Sequence, residues 1–370
     1  MNPSFIPAAD PLGIPAPAEL LQVLLIATFA IHFAFLGAAL GGALLVTLTG
    51  LIGRGNSLGR AAIAARILAR PLPVVISFAI TSGVAPLLFV QVLYGSFFYT
   101  SNVLMGFRWL ALLLLLLVGF YGSYYMASRF KTRGMKPGQR ILVAALVALA
   151  FGAIALTLVT NHLLSVHPSE WRDVQAGTMS AYSLPTLWPR WAHALVGTGV
   201  MGSMLLAHMS LRRAACADER AMSVARVGLV LAGLFGTAQI LAGAHYLFAL
   251  PEGFRVLLLS LQHPAAIAWG VAAFCAVLGS LLALVASSAS SPRPLAWIST
   301  VLFSLTLVGM AWGREQLRLF HIESLIPADA WTHQPQVSPI VLFGVSTVAG
   351  IAALVWMIRV YMRSAPPAHD

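Results

Sequence analysis

The feature that most constrains the fold is a series of long apolar runs that recurs along the whole chain. A transmembrane helix needs about 20 consecutive, mostly apolar residues. Nine such runs lie between charged or Pro- and Gly-rich breaks, at residues 20–51, 72–95, 107–128, 141–163, 189–211, 227–248, 264–288, 295–313 and 338–360. Only 9% of the 370 residues are charged, whereas soluble domains carry roughly 25%. The sequence therefore predicts an all-α, polytopic membrane helical bundle of about nine transmembrane helices, forming a single transmembrane domain over residues 1–370.

The distribution of Lys and Arg predicts the orientation of this bundle. With nine alternating helices, six basic residues fall on one side of the membrane, namely Arg108, Arg172, Arg190, Arg255, Arg314 and Arg318, and the remaining 16 of the 22 fall on the other. Because basic loops stay in the cytoplasm, we expect residues 1–19 in the periplasm and the tail, residues 361–370, in the cytoplasm of a bacterial inner membrane. The net charge of +11 then reflects the basic loops on the cytoplasmic side, which lie against anionic lipid headgroups. No nucleic-acid partner is expected.

The histidines are the polar residues that most need an explanation in such a bundle. Seven of the ten fall at the predicted outer ends of helices or in outer loops: His162, His167, His193, His245, His263, His321 and His333. His32 lies ~18 Å into the first helix at 1.5 Å per residue, His208 lies near the inner face, and His369 lies in the tail. An intramembrane histidine is costly unless it is paired or ligating, so these residues indicate a functional site.

Haem b is the cofactor that best explains imidazoles approached from several helices. The ligands we favour are His32, His193 and His263, with His245, His208, His162 and His167 as weaker alternatives. The glycines of "GAALGG" after His32 and "GTGVMG" after His193 can leave room for a flat porphyrin, although glycine is also enriched where membrane helices pack together. No C-x-x-C-H motif is present, which excludes covalent c-type haem.

Three outer arginines are candidates for binding haem propionates by charge-assisted contacts: Arg190, Arg314 and Arg318. The alternative is that they anchor the bundle at the interface beside Trp188, Trp191 and Trp312. All eleven carboxylates fall outside the helix interiors in this interpretation, with Glu315 in the outer region beyond the eighth run. Delivery of protons through the membrane, which usually uses intramembrane Asp, Glu or His, is therefore disfavoured.

Three segments resemble subunit I of the cytochrome bd quinol oxidases. Residues 20–42, "LLQVLLIATFAIHFAFLGAALGG", resemble its first helix, and residues 76–106, "ISFAITSGVAPLLFVQVLYGSFFYTSNVLMG", resemble its second helix and outer turn. Residues 190–204, "RWAHALVGTGVMGSM", resemble its fifth helix, whose histidine ligates a low-spin haem. The resemblance covers residues 1–210 and fades beyond them, and the layout of nine helices with an outer N-terminus is also similar.

The resemblance implies roles for the histidines. His32 would match a ligand of a haem in the oxygen-reducing region, and His193 an axial ligand of the low-spin haem. The second axial ligand in the family is a Met on helix 7, where this chain has "LQHPAAIAW". His263 would then make the low-spin haem bis-histidine, with Met179, Met201 and Met204 as alternatives.

The chain also departs from the oxidase pattern. Gln91 stands where the family has a Glu on its proton path. In "MAWGREQLR", Ala311 stands where a motif near the end of the family's sequence has a Glu that serves a high-spin haem. The long quinol-binding loop between helices 6 and 7 is reduced to "LPEGFR". Each of these differences removes part of the oxidase machinery.

These observations favour a membrane haem b cytochrome with one to three haems that transfers electrons between the quinone pool and a periplasmic partner, such as a multihaem cytochrome c or another redox subunit. Outer cofactors shorten the tunnelling distance to that partner. The alternative within the family is a reduced cytochrome bd-like quinol:oxygen oxidoreductase, in which a quinone is bound and His32 serves a five-coordinate haem. A haem-free channel or transporter lined by histidines is a third possibility.

Overall fold

The computed structural model describes residues 6–8, 11–53, 59–131, 136–215, 218–260, 263–327 and 330–364. Its helices are α1 (Ala18–Ile52), α2 (Arg60–Ala69), α3 (Leu72–Met105), α4 (Phe107–Lys131), α5 (Pro137–Val166), α6 (Trp171–Ala176), α7 (Leu187–Ala214), α8 (Glu219–Ala249), α9 (Glu252–Leu259), α10 (Pro264–Ser288), α11 (Pro292–Ile322) and α12 (Val337–Ser364). Across these ranges, nine helices are long and apolar enough to cross a membrane: α1, α3, α4, α5, α7, α8, α10, α11 and α12. The predicted all-α polytopic bundle is confirmed.

Helix α1 lies at the centre of the bundle, where it packs against α3, α5 and α7. Glycines allow its close approach to α7: a Cβ atom on Gly41 would lie 1.8 Å from the Thr198 carbonyl oxygen, and one on Gly202 would lie 2.4 Å from the Gly41 carbonyl carbon. These glycines belong to the two Gly-rich stretches for which we considered a porphyrin. In the structure they bring helix backbones together, which is the packing alternative.

Two spanning helices extend beyond the predicted apolar runs. The second run was expected to end at residue 95, but α3 continues to Met105. Its polar residues stay within the helix because their hydroxyls bond to backbone carbonyls of the preceding turn; Thr100 donates to Ser96 at 2.7 Å and Ser101 donates to Phe98 at 2.8 Å. The eighth run was expected to end at residue 313, but α11 continues to Ile322. This extension carries Arg314 and Arg318 into the interior.

The end of the bundle at which α1 begins is closed by segments without long helices. The chain before α1 meets the chain before α12 in a parallel bridge between Ile14 and His333, and the Ile14 amide donates to the Thr332 carbonyl at 3.0 Å. Among the residues that the structure describes, no other β-bridge occurs. Helix α12 itself is almost wholly exposed, and Phe343 contacts the Phe89 ring at 5.3 Å between centroids. The tail was predicted to span residues 361–370, but α12 continues to Ser364. Residues 365–370, including His369, lie outside the described residues.

Candidate functional site

His32 lies on α1 and faces α3. Its Nδ1 atom is 2.8 Å from the carbonyl oxygen of Ala79. A carbonyl can only accept, so Nδ1 carries the proton and the lone pair of a neutral ring is on Nε2. A Cβ atom on Gly83 would lie 2.7 Å from His32 Cε1, so only glycine leaves the ring in this position. A backbone carbonyl on Nδ1 is the usual support for a histidine that binds a metal through Nε2.

His193 lies on α7 and faces α8. The Gln239 amide Nε2 donates to His193 Nε2 at 3.0 Å, so the lone pair of the ring again lies on Nε2. The ring stacks on Tyr246 at 6.0 Å between centroids, and a Cβ atom on Gly243 would lie 3.1 Å from His193 Cε1. Within the described residues, His193 Nδ1 and Gln239 Oε1 are buried without hydrogen-bond partners.

His263 is the residue immediately before α10, and it caps that helix. Its Nδ1 atom accepts a hydrogen bond from the Ala265 amide at 3.2 Å. Because the amide can only donate, the neutral ring carries its proton on Nε2. A neutral imidazole therefore cannot cap α10 through Nδ1 and bind iron through Nε2 at the same time.

The four weaker candidate histidines lie in different surroundings. His162 Nδ1 accepts from Arg314 Nη2 at 3.1 Å, which places its proton on Nε2. His208 Nε2 lies 2.8 Å from Thr300 Oγ1, and its ring contacts Trp297 at 4.4 Å, near the opposite end of α7 from His193. His245 is exposed on α8, which presents the neighbouring Tyr246 to the site instead.

His167 ends α5 just beyond the membrane-spanning segment. Its Nδ1 atom lies 2.8 Å from the Leu163 carbonyl oxygen, and its ring contacts the ring of His321 at 4.8 Å between centroids. Burial lowers the pKa of His167 below its ordinary value, and the charge of Arg190 acts in the same direction. The ring is therefore neutral at neutral pH, with its lone pair on Nε2.

The three candidate arginines lie close together and among the histidines. The charges of Arg190, Arg314 and Arg318 all act on His162, and Arg190 also acts on His193 and His321. The Arg314 guanidinium lies 4.4 Å from the centroid of the Phe29 ring. Arg318 is only 2% exposed, which is incompatible with an interfacial anchor. The structure therefore forms a cationic cluster of Arg190, Arg314 and Arg318, gathered from α7 and α11.

The acidic partner of this cluster is Glu315, whose position the sequence interpretation gave incorrectly. It lies within α11 and is 2% exposed. Its Oε2 atom is 3.3 Å from Arg318 Nη1, and its Oε1 atom accepts from the Tyr94 hydroxyl at 2.5 Å. The Arg318 guanidinium also lies over the Tyr94 ring at 4.5 Å from its centroid. Glu315 is therefore a carboxylate buried within the helical bundle, and the charge is tolerated because it is paired and hydrogen-bonded.

A local signal for this group was present in the sequence. Glu315 and Arg318 are three residues apart, a spacing that places two side chains on the same face of a helix. The hydropathy pattern ended the eighth helix at residue 313, so the pair was assigned to an outer loop. The contribution of Tyr94, 221 positions away in the chain, has no local signal.

The residues of this region fit haem in their donor chemistry. His32 and His193 both carry on Nε2 the lone pair that an iron ligand needs, and a glycine lies beside each ring. At His193 this lone pair accepts the Gln239 amide N–H, which iron would have to replace. The cationic cluster has three arginines for one carboxylate, which leaves charge to bind propionates. The described part of the chain has no group of three or more His, Cys, Asp or Glu side chains that could hold a bare metal ion.

Comparisons with known proteins bear on the fold. No protein-family model matches the sequence, and no curated protein matches it. Among solved structures, the bd oxidase from Geobacillus thermodenitrificans is similar, with a TM-score of 0.63 and 14% identity over 95% of this chain and 100% of that chain. The likeness extends well beyond residues 1–210, to which the sequence resemblance was confined. The distant resemblance to the cytochrome bd oxidase superfamily is therefore confirmed as a likeness of fold over nearly the whole chain.

Proposed function

We propose that this multi-pass membrane protein is a haem b subunit of a bacterial respiratory chain that transfers electrons between the quinone pool and a periplasmic redox partner. The cationic cluster carries the proposal, because three buried or half-buried arginines beside histidines favour anionic partners, and among the described residues Glu315 is the one carboxylate paired with them. The two propionates of a haem are anions of the required kind. Haem b, when bound, supplies a one-electron redox centre.

Each residue of the site has a distinct task in this proposal. His32 and His193 would bind iron through Nε2. The Ala79 carbonyl holds His32 in that tautomer through Nδ1, whereas at His193 the iron would take the place of the Gln239 amide N–H on Nε2. Arg190 and Arg314 would hold propionates. The surrounding apolar helices would keep water away from the cofactor and tune its potential.

The predicted orientation supports a periplasmic partner. Both His193 and the cationic cluster lie near ends of α7 and α11 that the positive-inside rule assigns to the outer face. A short distance to that face favours electron transfer to a protein outside the membrane, for which a c-type cytochrome, including a multihaem one, is the partner we propose.

The absorbance spectrum of the purified protein tests the proposal directly. We expect a Soret band and the reduced α-band of a low-spin b-type haem. His193→Ala should abolish the low-spin signal, and His369→Ala, in the tail, should leave it unchanged. A protein purified from haem-replete cells that lacks any Soret band would contradict the proposal and favour a channel or transporter.

The buried Glu315 gives specific support to a second candidate, a reduced quinol:oxygen oxidoreductase. A buried carboxylate that accepts a hydrogen bond from Tyr94 is the type of group that proton delivery uses. The sequence interpretation had placed no carboxylate inside a helix and had counted this against the activity. The two candidates differ at the iron: an oxidase needs an open coordination position. A carbon monoxide difference spectrum of the reduced protein, present in the oxidase and absent in a fully six-coordinate cytochrome, distinguishes them.

A further inference from the structure

A groove of about 310 Å³ opens at the other end of the bundle from the cationic cluster. It lies between α2, α8 and α10 and is lined by two arginines, two serines and three aliphatic residues: Arg60, Arg226, Ser223, Ser287, Val227, Val230 and Leu231. Both arginines belong to the set of basic residues that predicts the cytoplasmic face. The groove therefore lies where the inner leaflet is expected to meet the protein.

The polar wall of the groove is built to present positive charge. Arg226 of α8 is held in place by two carbonyls at the end of α10, donating to Ser287 at 3.2 Å and to Ala289 at 3.2 Å. An arginine has five N–H donors, so others remain for a ligand. Arg60 is exposed and is the first residue of α2, whose N-terminus has no side-chain cap. The N-terminal end of a helix carries partial positive charge, which adds to that of Arg60.

The apolar wall continues from the groove along the outer surface of the bundle. Val230 is 37% exposed, and Leu234 and Leu241 are exposed on the same helix. Residues spaced by four and eleven positions share one face of an α-helix. This aliphatic row runs from the groove in the direction of the bilayer interior, which is the path that a lipid chain takes when its headgroup is at the interface.

We propose that this groove binds an anionic phospholipid, with the phosphate between Arg60 and Arg226 and an acyl chain along Val230, Leu234 and Leu241. Basic pockets between transmembrane helices on the cytoplasmic side have the chemistry for such headgroups. The bound lipid would join the end of α2 to α8 and α10. This site is independent of the proposed haem function, because it shares no residue with the histidines or the cationic cluster.

Lipid titration of the delipidated full-length protein, followed by native mass spectrometry, tests the proposal. Dioleoylphosphatidylglycerol should bind more tightly than dioleoylphosphatidylcholine. Arg60→Gln should weaken the binding of dioleoylphosphatidylglycerol about fivefold, since one arginine near an anionic surface contributes roughly 1 kcal/mol. Arg220→Gln is the matched control, because Arg220 is exposed on α8 and does not line the groove; it should leave the affinity unchanged.

Two further measurements complete the test. Val230→Trp, at a partly exposed position, should obstruct the apolar wall and weaken the binding of both lipids without removing a charge. This result would support the proposal even if Arg60→Gln fails to fold. Inorganic phosphate should displace the lipid poorly, because it has no acyl chain to bury. Equal affinity of Arg60→Gln and the unmodified protein for phosphatidylglycerol would overturn the proposal. Displacement of the lipid by inorganic phosphate at the same concentration would also overturn it, because the groove would then be a site for free phosphate.

Discussion

At the scale of single residues, the hydrogen-bond partners of the imidazole nitrogens fix the tautomer of each histidine. His32 donates to a carbonyl through Nδ1, which leaves its lone pair on Nε2, and His193 also has its lone pair on Nε2, where it accepts the Gln239 amide N–H. His162 and His263 accept hydrogen bonds at Nδ1, so the proton of the neutral ring is on Nε2. Hydrogen-bond geometry thus separates four histidines that look alike in the sequence.

Gly83 offers a test of the position of His32. In Gly83→Ala the new Cβ atom would lie 2.7 Å from His32 Cε1, so the ring must move and lose its bond to the Ala79 carbonyl, which contributes about 1 kcal/mol. We expect a lower melting temperature and a changed haem absorbance per protein. Gly152→Ala is the matched control, because nothing lies within 4 Å of that position and replacing a helical glycine by alanine stabilises by roughly 0.5–1 kcal/mol. Equal effects of the two substitutions would show that His32 is not confined by Gly83.

The Glu315–Arg318 pair predicts strong energetic coupling. Glu315→Ala leaves the guanidinium of Arg318 buried without its carboxylate, which should lower the free energy of unfolding by about 3 kcal/mol. Arg318→Ala should lower the free energy of unfolding by a similar amount, because it leaves the carboxylate of Glu315 buried without its guanidinium partner. In the double variant neither charge is left unpaired, so its cost should be clearly less than the sum of the two. Thermal unfolding in detergent measures all three variants.

Tyr94→Phe provides the control for that cycle. It removes the hydroxyl that donates to Glu315 but keeps the ring under Arg318, so the expected cost is about 1.5–3 kcal/mol, the range for a hydrogen bond to a charged group. Additive costs for Glu315→Ala and Arg318→Ala would contradict the pairing of these two residues inside the bundle.

At the scale of elements, the site depends on an irregularity in α3. Tyr94 has φ −133° and ψ 31°, which interrupts the helix eight residues after Pro86. The Leu93 carbonyl beside this kink accepts a hydrogen bond from the Trp331 indole at 3.0 Å, so the segment before α12 satisfies a polar group near the interruption. The kink directs the Tyr94 hydroxyl to α11, and the extension of α11 beyond residue 313 brings Glu315 to meet it.

The start of α10 yields a prediction that separates helix capping from iron binding. Serine is a good N-cap residue, so His263→Ser should preserve the helix start while removing the imidazole. Since the ring nitrogen that caps α10 fixes the proton on Nε2, we expect the low-spin haem spectrum to be unchanged. His263→Ala should also keep the spectrum but lose about 1 kcal/mol of stability. A five-coordinate spectrum in His263→Ser would instead show that haem binding displaces the cap and makes the iron bis-histidine.

At the scale of the whole molecule, the apolar runs were enough to predict the number of spans and the fold class. They could not predict where α3 and α11 end, because hydropathy does not register hydroxyls bonded within a helix or charges paired inside the bundle. The histidines and arginines proposed for the site were conspicuous in the sequence because such side chains are costly in lipid, and their binding of a haem stays a prediction. The pairing of Glu315 with Tyr94 and the packing role of Gly41 depend on contacts between distant helices, so they required the structure.

The orientation of the molecule in the membrane is the prediction on which a periplasmic partner depends. The segment 129–140, between α4 and α5, carries five basic residues, whereas the segment 164–188, between α5 and α7, carries only Arg172. Basic loops are retained in the cytoplasm, so alkaline phosphatase fused within 129–140 should be inactive and a fluorescent protein there should fold. The same reporters fused within 164–188 should give the opposite pattern. Phosphatase activity from the 129–140 fusion would place the cationic cluster at the cytoplasmic face, where electrons could pass only to a cytoplasmic partner.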